Sequence, residues 1–498
     1  MTPVAQLLVP VLAADADGRF EAARAEADAA LALGVGGFLL YGGDQDAVRV
    51  LAKELQQRSR TPLLIGAELE RGAGQQFGGA TGLPPLAAVA WLDDLEALRR
   101  AARLTAREAR TMGVNWNLSP VCDFDPTGAN PVLGTRVLGD DGATVARRAA
   151  AWIEACQAEG VLACAKHFPG LGRAEEDPHT HRPVVRADRE ALHTEDLAPF
   201  RAAFAANIAS VMTAHVAYPA LDPSGLPATL SREIITWLLR QQLRYDGLVV
   251  TDALDMEGVL GAAADEGDAA VRAVAAGCDV LLAPRDVAGT AAALDRALAS
   301  GALDPARAQR SVRRRLKWAQ WASPPNDWRR PSASDGVWGA QLADRVVHVL
   351  RGDPAPAGDA LDVLVIDAAA PGPARAGVGR PGSRDALFES LRTAGVDARR
   401  VDEAVGDRSS ADGRVPLAIA YFADDRPRGD DEAAARVRAA ARAAQDAGRP
   451  ATVLLFAHPR TAPDVEGAAV VCAWSGDRAM QQAAARWVLA RRAAAVAP

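Results

Sequence analysis

Lysine is nearly missing from this 498-residue chain: only Lys53, Lys166 and Lys317 occur among 56 basic residues, so arginine serves almost every ordinary surface position. Aromatic residues are sparse at 5%, and histidine occurs only seven times. No apolar run approaches the roughly 20 residues that a membrane span requires, so no membrane association is expected. The apolar start, Val4 to Ala14, has no positive charge before it and is interrupted by Pro10, and it reads as a first strand rather than an export signal. There is no basic stripe or aromatic-interleaved basic patch, and the formal net charge is -7; nucleic acid is not an expected partner. The five cysteines, odd in number and mostly set in apolar stretches, are expected to be reduced packing residues, which favours the cytoplasm.

What is present is a long and regular alternation. Short apolar runs occur at Ala5 to Val11, Val35 to Tyr41, Pro62 to Ala67, Val114 to Val121, Val161 to His167, Ser210 to Val216, Leu248 to Thr251 and Asp279 to Ala283. Stretches with helical spacing follow most of them, as at Arg19 to Leu33, Leu92 to Met112, Thr144 to Glu159 and Arg232 to Leu243. Parallel pairing needs crossovers and eight strands close well, so the pattern predicts an α/β fold, a (β/α)8 TIM-type barrel over residues 1–322. An open doubly wound sheet is the structural rival. Residues 323–349, with Trp328 and Trp338, read as a wrapped linker, and 350–498 as a smaller α/β sandwich domain. Four strands are expected there, at Leu361 to Ile366, Pro416 to Phe422, Thr452 to Ala457 and Ala469 to Trp474, with a Gly/Pro-rich loop at Pro371 to Gly382.

In a barrel of this kind, chemistry belongs at the C-terminal ends of the strands. The ionisable residues comply: Glu68, Asp123, Lys166 with His167, His215 and Asp252 each end or follow a run. The segment Lys166 to Pro183 is the densest, holding three of the seven histidines, His167, His179 and His181, among Pro and Gly. Loops Leu69 to Ala90 and Phe168 to Ala187 are long and are expected to fold over the mouth.

An aspartate held on a rigid strand end, as Asp252 is, can attack an anomeric carbon and be displaced by water. A helix N-cap is the competing role for it. In Asp177-Pro178-His179 the Asp can hold the imidazole in one tautomer and favour its charged form, making a general acid and then base. The residues alone do not choose between His179 and His181. Three histidines with Asp177 could also suggest a metal, but their spacing matches no structural zinc pattern, and neither metal nor cofactor is expected.

Lys166-His167-Phe168-Pro169-Gly170 followed by Asp177-Pro178-His179 resembles the signature of family 3 glycoside hydrolases, β-N-acetylglucosaminidase branch. Val250-Thr251-Asp252-Ala253-Leu254-Asp255-Met256 is similar to that family's nucleophile strand, and Asn130-Pro131-Val132-Leu133-Gly134-Thr135-Arg136 to another of its segments. The likeness covers roughly residues 30–285 and is loose in the C-terminal domain. It implies an exo-acting retaining glycosidase that removes terminal β-linked N-acetylglucosamine, as in peptidoglycan recycling, through a glycosyl-aspartate intermediate. By that likeness Asp252 is the nucleophile, His179 the acid/base and Asp177 its partner. Lys166, His167 and Arg136 would hold sugar hydroxyls; with the strand-end residues Glu68, Asp123 and His215 and with Gln76 they form the expected sugar-binding set. Glu68 stands where the family has Asp, Gln76 where it has Arg, and Leu171 where it has His, which leaves the sugar specificity open. The readings carried forward are this hydrolase, a phosphorylase using the same site, a β-glycosidase of other sugar specificity, and a sugar-binding protein without turnover.

Overall fold

The computed structural model describes residues 4–322, 333–354, 358–368, 384–402, 409–410, 413–423 and 431–496. The expected loop at 371–382, Trp328 and the 323–332 part of the linker lie outside them. The chain divides into two compact units, one of Met1–Thr81, Leu95–Asn130 and Val137–Ser332, the other of Gly82–Asp94, Pro131–Arg136 and Ala333–Pro498.

In the first unit the eight apolar runs become eight parallel strands. They are β1, β2 (Gly37–Tyr41), β3 (Leu64–Ala67), β4 (Trp116–Asn117), β5 (Leu162–Phe168), β6 (Ser210–Thr213), β7 (Leu248–Ala253) and β8 (Val280–Leu282). Pro10, which has no N–H to donate, divides β1 into Leu8–Val9 and Val11–Ala13. The first half pairs with β8 and the second with β2, so the ring closes and the open-sheet alternative falls. The run that began at Ala5 opens as a tight turn, Val4–Leu7, before the strand starts.

Period-two alternation decides what fills the barrel. Leu39, Leu64, Trp116, Leu162, Cys164, Met212, Leu248, Val250, Val280 and Leu282 belong to one buried cluster inside the ring. Burying each large aliphatic side chain is worth about 1.5–3 kcal/mol, and this layer seals the barrel beneath its mouth. At the opposite end, helix Pro305–Trp321 brings Arg307, Ser311 and Arg314 to Asp279, a fully buried carboxylate also met by Arg240 and by the Val249 N–H. Burial alone would raise the Asp279 pKa; the three guanidinium groups hold it below the usual carboxylate range.

The second unit holds a six-stranded sheet: β9 (His348–Arg351), β10 (Ala360–Asp367), β11 (Asp397–Val401), β12 (Leu417–Phe422), β13 (Ala451–Phe456) and β14 (Ala469–Cys472). The order is β9-β14-β13-β12-β10-β11, parallel except for the edge strand β9. The four expected strands are present; the two unexpected ones are the edges, whose charged or alternating residues carry little apolar signal. Within the expected linker, Ala333–Val346 is helical and Trp338 is half-buried. Among the described residues no helix is long and apolar enough to cross a membrane.

Candidate active site

The alternation that buries Leu64, Leu162 with Cys164, and Leu248 with Val250 places Glu68, Lys166 and Asp252 on the same inward face, two or four residues further along. These charged groups therefore form the layer above the apolar fill. Lys166 is fully buried, and its Nζ lies 2.9 Å from Glu68 Oε1 and 2.9 Å from Glu70 Oε1. A buried ammonium needs such partners, because an uncompensated one costs several kcal/mol. Glu68 and Glu70 reach the same cation because they are two residues apart in an extended stretch. Glu68 keeps 21% of its side chain exposed against 7% for Glu70, so Glu68 is the carboxylate that faces the mouth.

His167 sits beside this pair on a cis Lys166–His167 peptide. Its Nδ1 is 2.7 Å from Asp123 Oδ2, and its Nε2 is 4.0 Å from Asp252 Oδ2. Asp123 also accepts the backbone N–H groups of His167 and Leu171. Asp123 is therefore buried and fully committed to orienting His167, and direct sugar contact, as expected from sequence, does not fit it. His215 needs the same revision. Its Nδ1 pairs with Thr229 Oγ1 of the loop after β6 at 2.7 Å, and its Nε2 donates to Ala253 O, beside Asp252 on the next strand, at 3.0 Å, so both nitrogens are taken up by the protein. Gln76 Oε1 accepts the Gly42 N–H at 3.3 Å, a tether between two loops. Arg136 falls in the second compact unit, where its Nη1 donates to Val132 O.

Asp252 ends β7 with 21% of its side chain exposed, and its Oδ1 accepts the Ala253 N–H at 2.8 Å. Burial pushes its pKa up, but the imidazoles of His167, His215 and His179, with the Ala253 N–H, outweigh that and hold it below the usual carboxylate range. It begins no helix, so the N-cap role does not apply: the next helix, Glu257–Leu260, starts after Met256.

The loop after β5 carries the second group. Asp177 Oδ1 lies 2.7 Å from His179 Nδ1 and accepts the His179 N–H at 3.0 Å. This separates the histidines, since His181 Nδ1 instead meets Thr180 Oγ1. The loop is tied down along its length. Asn130 Nδ2 donates to Leu171 O and Ala174 O, Tyr218 Oη to Gly170 O, and Arg173 Nε to Asp196. Gly172 passes so close to Phe124 O that a Cβ there would lie 1.5 Å from it. His179 keeps 33% of its side chain exposed, whereas His167 keeps 6%. Among the described residues no group of three or more His, Cys, Asp or Glu is arranged to hold a metal ion.

Sequence reasoning passed over Glu70 as a partner of Lys166, although its place two residues beyond Glu68 was a usable signal. Thr229 had no signal: it meets His215 only because the loop after β6 folds back.

A parallel barrel with a carboxylate and an Asp–His pair at its mouth fits what comparison with known proteins finds. The profile described as glycosyl hydrolase family 3 N terminal domain matches residues 3–317, and the chain belongs to that family. It is 36% identical over 293 residues to a beta-N-acetylglucosaminidase/beta-glucosidase of Cellulomonas fimi, covering 57% of this chain and 52% of that one. It is 37% identical over 261 residues to a beta-hexosaminidase of Thiobacillus denitrificans, covering 50% of this chain and 71% of the relative. The chain thus spans about half the length of the first and more than two thirds of the second. Among solved structures, a family 3 beta-N-acetylglucosaminidase from Paenibacillus sp. str. FPU-7 superimposes with a TM-score of 0.82 at 27% identity, over 98% of this chain and 96% of that one.

Proposed function

We propose that this chain is an exo-acting retaining glycosidase that removes terminal β-linked N-acetylglucosamine. The observation that carries the proposal is the Asp177–His179 pair, 2.7 Å apart and partly exposed, on a loop that brings the His179 imidazole near enough to Asp252 to help hold its pKa down. Asp252 attacks the anomeric carbon and forms an ester as the bond to the leaving oxygen breaks. His179 gives its Nε2 proton to that oxygen while Asp177 holds Nδ1–H. Water then attacks the same carbon, its proton passes to His179, and Asp252 leaves as the carboxylate. His167 is too enclosed for this proton transfer and instead flanks Asp252. Glu68 and Lys166 offer an acceptor and a buried positive charge to the sugar hydroxyls, with His167 beside them.

The names of the two relatives and of the Paenibacillus structure support the acetamido sugar. The double name of the Cellulomonas fimi protein keeps β-glucosides as the competing substrate class. A second reading is phosphorolysis, which the imidazole favours because it does not repel an incoming phosphate as a carboxylate would. The barrel of residues 1–322 would carry the reaction with 350–498 as companion domain. Five free, buried cysteines agree with a reducing cytoplasmic setting, and cell-wall recycling is the role we propose for an enzyme of this specificity there.

The test is turnover of matched aryl β-N-acetylglucosaminide and β-glucoside, with and without phosphate. Preference for the first, no phosphate dependence, β-configured product and inactivity of Asp252→Asn support the proposal. Acceleration by phosphate with sugar 1-phosphate as product selects the second reading. Binding without turnover on either substrate would overturn both.

A further inference from the structure

Gly258 lies in the short helix Glu257–Leu260 and is buried where three loops of the barrel mouth meet. Its N–H donates to Pro178 O at 2.9 Å, and the neighbouring Glu257 N–H donates to His179 O at 3.3 Å. The first amides of a helix have no partner inside it; here two of them hold the backbone of the loop that carries the Asp177–His179 pair. On its other side Gly258 presses on the loop after β6. A Cβ at this position would lie 2.5 Å from His215 O, 3.0 Å from His215 Cβ and 3.0 Å from Pro178 O. His215 in turn donates to Ala253 O, the peptide next to Asp252.

Helix propensity argues the opposite way. Gly inside a helix costs about 1 kcal/mol relative to Ala, so a small buried helix is a poor place for it unless space demands it. Two carbonyl oxygens within van der Waals range of the missing Cβ are that demand.

We propose that Gly258 is a positioning residue: with the Glu257 N–H it sets the distance between His179 and Asp252 by letting the two loops close on one another. This rests on the glycosidase reading above. It adds that the acid's placement depends on the loop that follows the nucleophile, not only on Asp177.

Relieving contacts of 2.5–3.0 Å requires the Pro178 segment or the His215 segment to move by roughly 0.5–1 Å, and misplacement by about 1 Å can cost about 100-fold. The first variant is Gly258→Ala. The second, Glu257→Pro, is chosen to fold even if the first does not. Glu257 is the first helical residue, where proline is tolerated, and Met256 before it is already extended at φ -80° and ψ 142°. Proline removes the N–H that meets His179 O, sets its ring Cδ against that carbonyl and deletes the exposed Glu257 carboxylate, but leaves the His215 side untouched.

Both variants are assayed by kcat/KM on a dinitrophenyl and a phenyl β-N-acetylglucosaminide, with folding checked by thermal melt. The dinitrophenyl leaving group needs no acid; the phenyl one does. The expected result is a loss of about 10- to 100-fold on the phenyl substrate and less than about 3-fold on the dinitrophenyl one, smaller for Glu257→Pro than for Gly258→Ala. Wild-type behaviour of folded Glu257→Pro, or equal losses on both substrates, would overturn the positioning role while leaving the glycosidase reading intact. If the wild-type protein turns over neither substrate, the glycosidase reading has failed and the positioning role falls with it.

Discussion

Replacing Asp177 by Asn isolates the electrostatic part of the Asp–His pair. The amide is nearly isosteric and keeps an oxygen where Oδ1 now accepts the His179 N–H, and the turn that follows is built from backbone bonds, Thr180 N–H and His181 N–H to Asp177 O. The loop is therefore retained, and what disappears is the negative charge 2.7 Å from Nδ1. A hydrogen bond to a charged group is worth about 1.5–3 kcal/mol. His179 is one-third exposed, so solvent screening favours the lower half of that range. At about 1.4 kcal/mol per decade, the expected loss in kcat/KM is roughly 10- to 40-fold on a phenyl β-N-acetylglucosaminide. That stays inside the roughly 100- to 10,000-fold that general acid catalysis supplies in total. The assay is kcat/KM across aryl glycosides from dinitrophenyl to phenyl. The slope of log kcat/KM against leaving-group basicity should steepen in Asp177→Asn, because less of the proton is delivered in the transition state. An unchanged slope, or one common loss along the series, would refute the role given to Asp177.

Three further outcomes are expected. Because Asp252 is held below the usual carboxylate range, its charged form persists as pH falls past about 3.9 and is lost only at its lower folded value. The acid limb of kcat/KM should accordingly lie below about 3.9; a carboxyl signal titrating at about 5 in the wild type and missing from Asp252→Asn by NMR would contradict the assignment. Lys166→Met leaves Glu68 and Glu70 facing each other without their cation and should lower unfolding stability by about 3–5 kcal/mol in urea titration, whereas a change under about 1 kcal/mol would show the pair to be solvated. Asp279→Asn, at the far end of the barrel from the mouth, takes the shared carboxylate from Arg240, Arg307 and Arg314, of which Arg314 keeps a second partner in Asp246, and should cost a similar amount, roughly 3–5 kcal/mol, while KM stays unchanged; altered KM would mean the barrel floor is coupled to the mouth.

Much of the barrel was legible because its signal is local. Alternating apolar runs report strands buried on both faces, and their number implies closure. The strand-end position of Asp252, the Asp-x-His pair and the lysine at the end of β5 were legible for the same reason: each lies within a few residues of a run that places it. The edge strands His348–Arg351 and Asp397–Val401 were not, since an edge needs no continuous apolar stretch. Nor was the commitment of Asp123, His215 and Gln76 to protein partners. Asp123 and His215 end or follow runs as sugar ligands would, Gln76 lies within the long loop after β3, and only the neighbouring chain segments show that Leu171 N–H, Thr229 and Gly42 N–H take up their polar atoms.

The sequence by itself therefore determined the residue types available for chemistry and the strand ends that would present them, because period two and strand number are properties of short segments. Tertiary structure alone decided which histidine faces the mouth and which is enclosed against Asp123, that Lys166 lies between two carboxylates, and that Gly258 is wedged between Pro178 and His215 carbonyls. Those are contacts between residues tens of positions apart. Their distances follow from how the loops close over a finished barrel, and no local pattern encodes that.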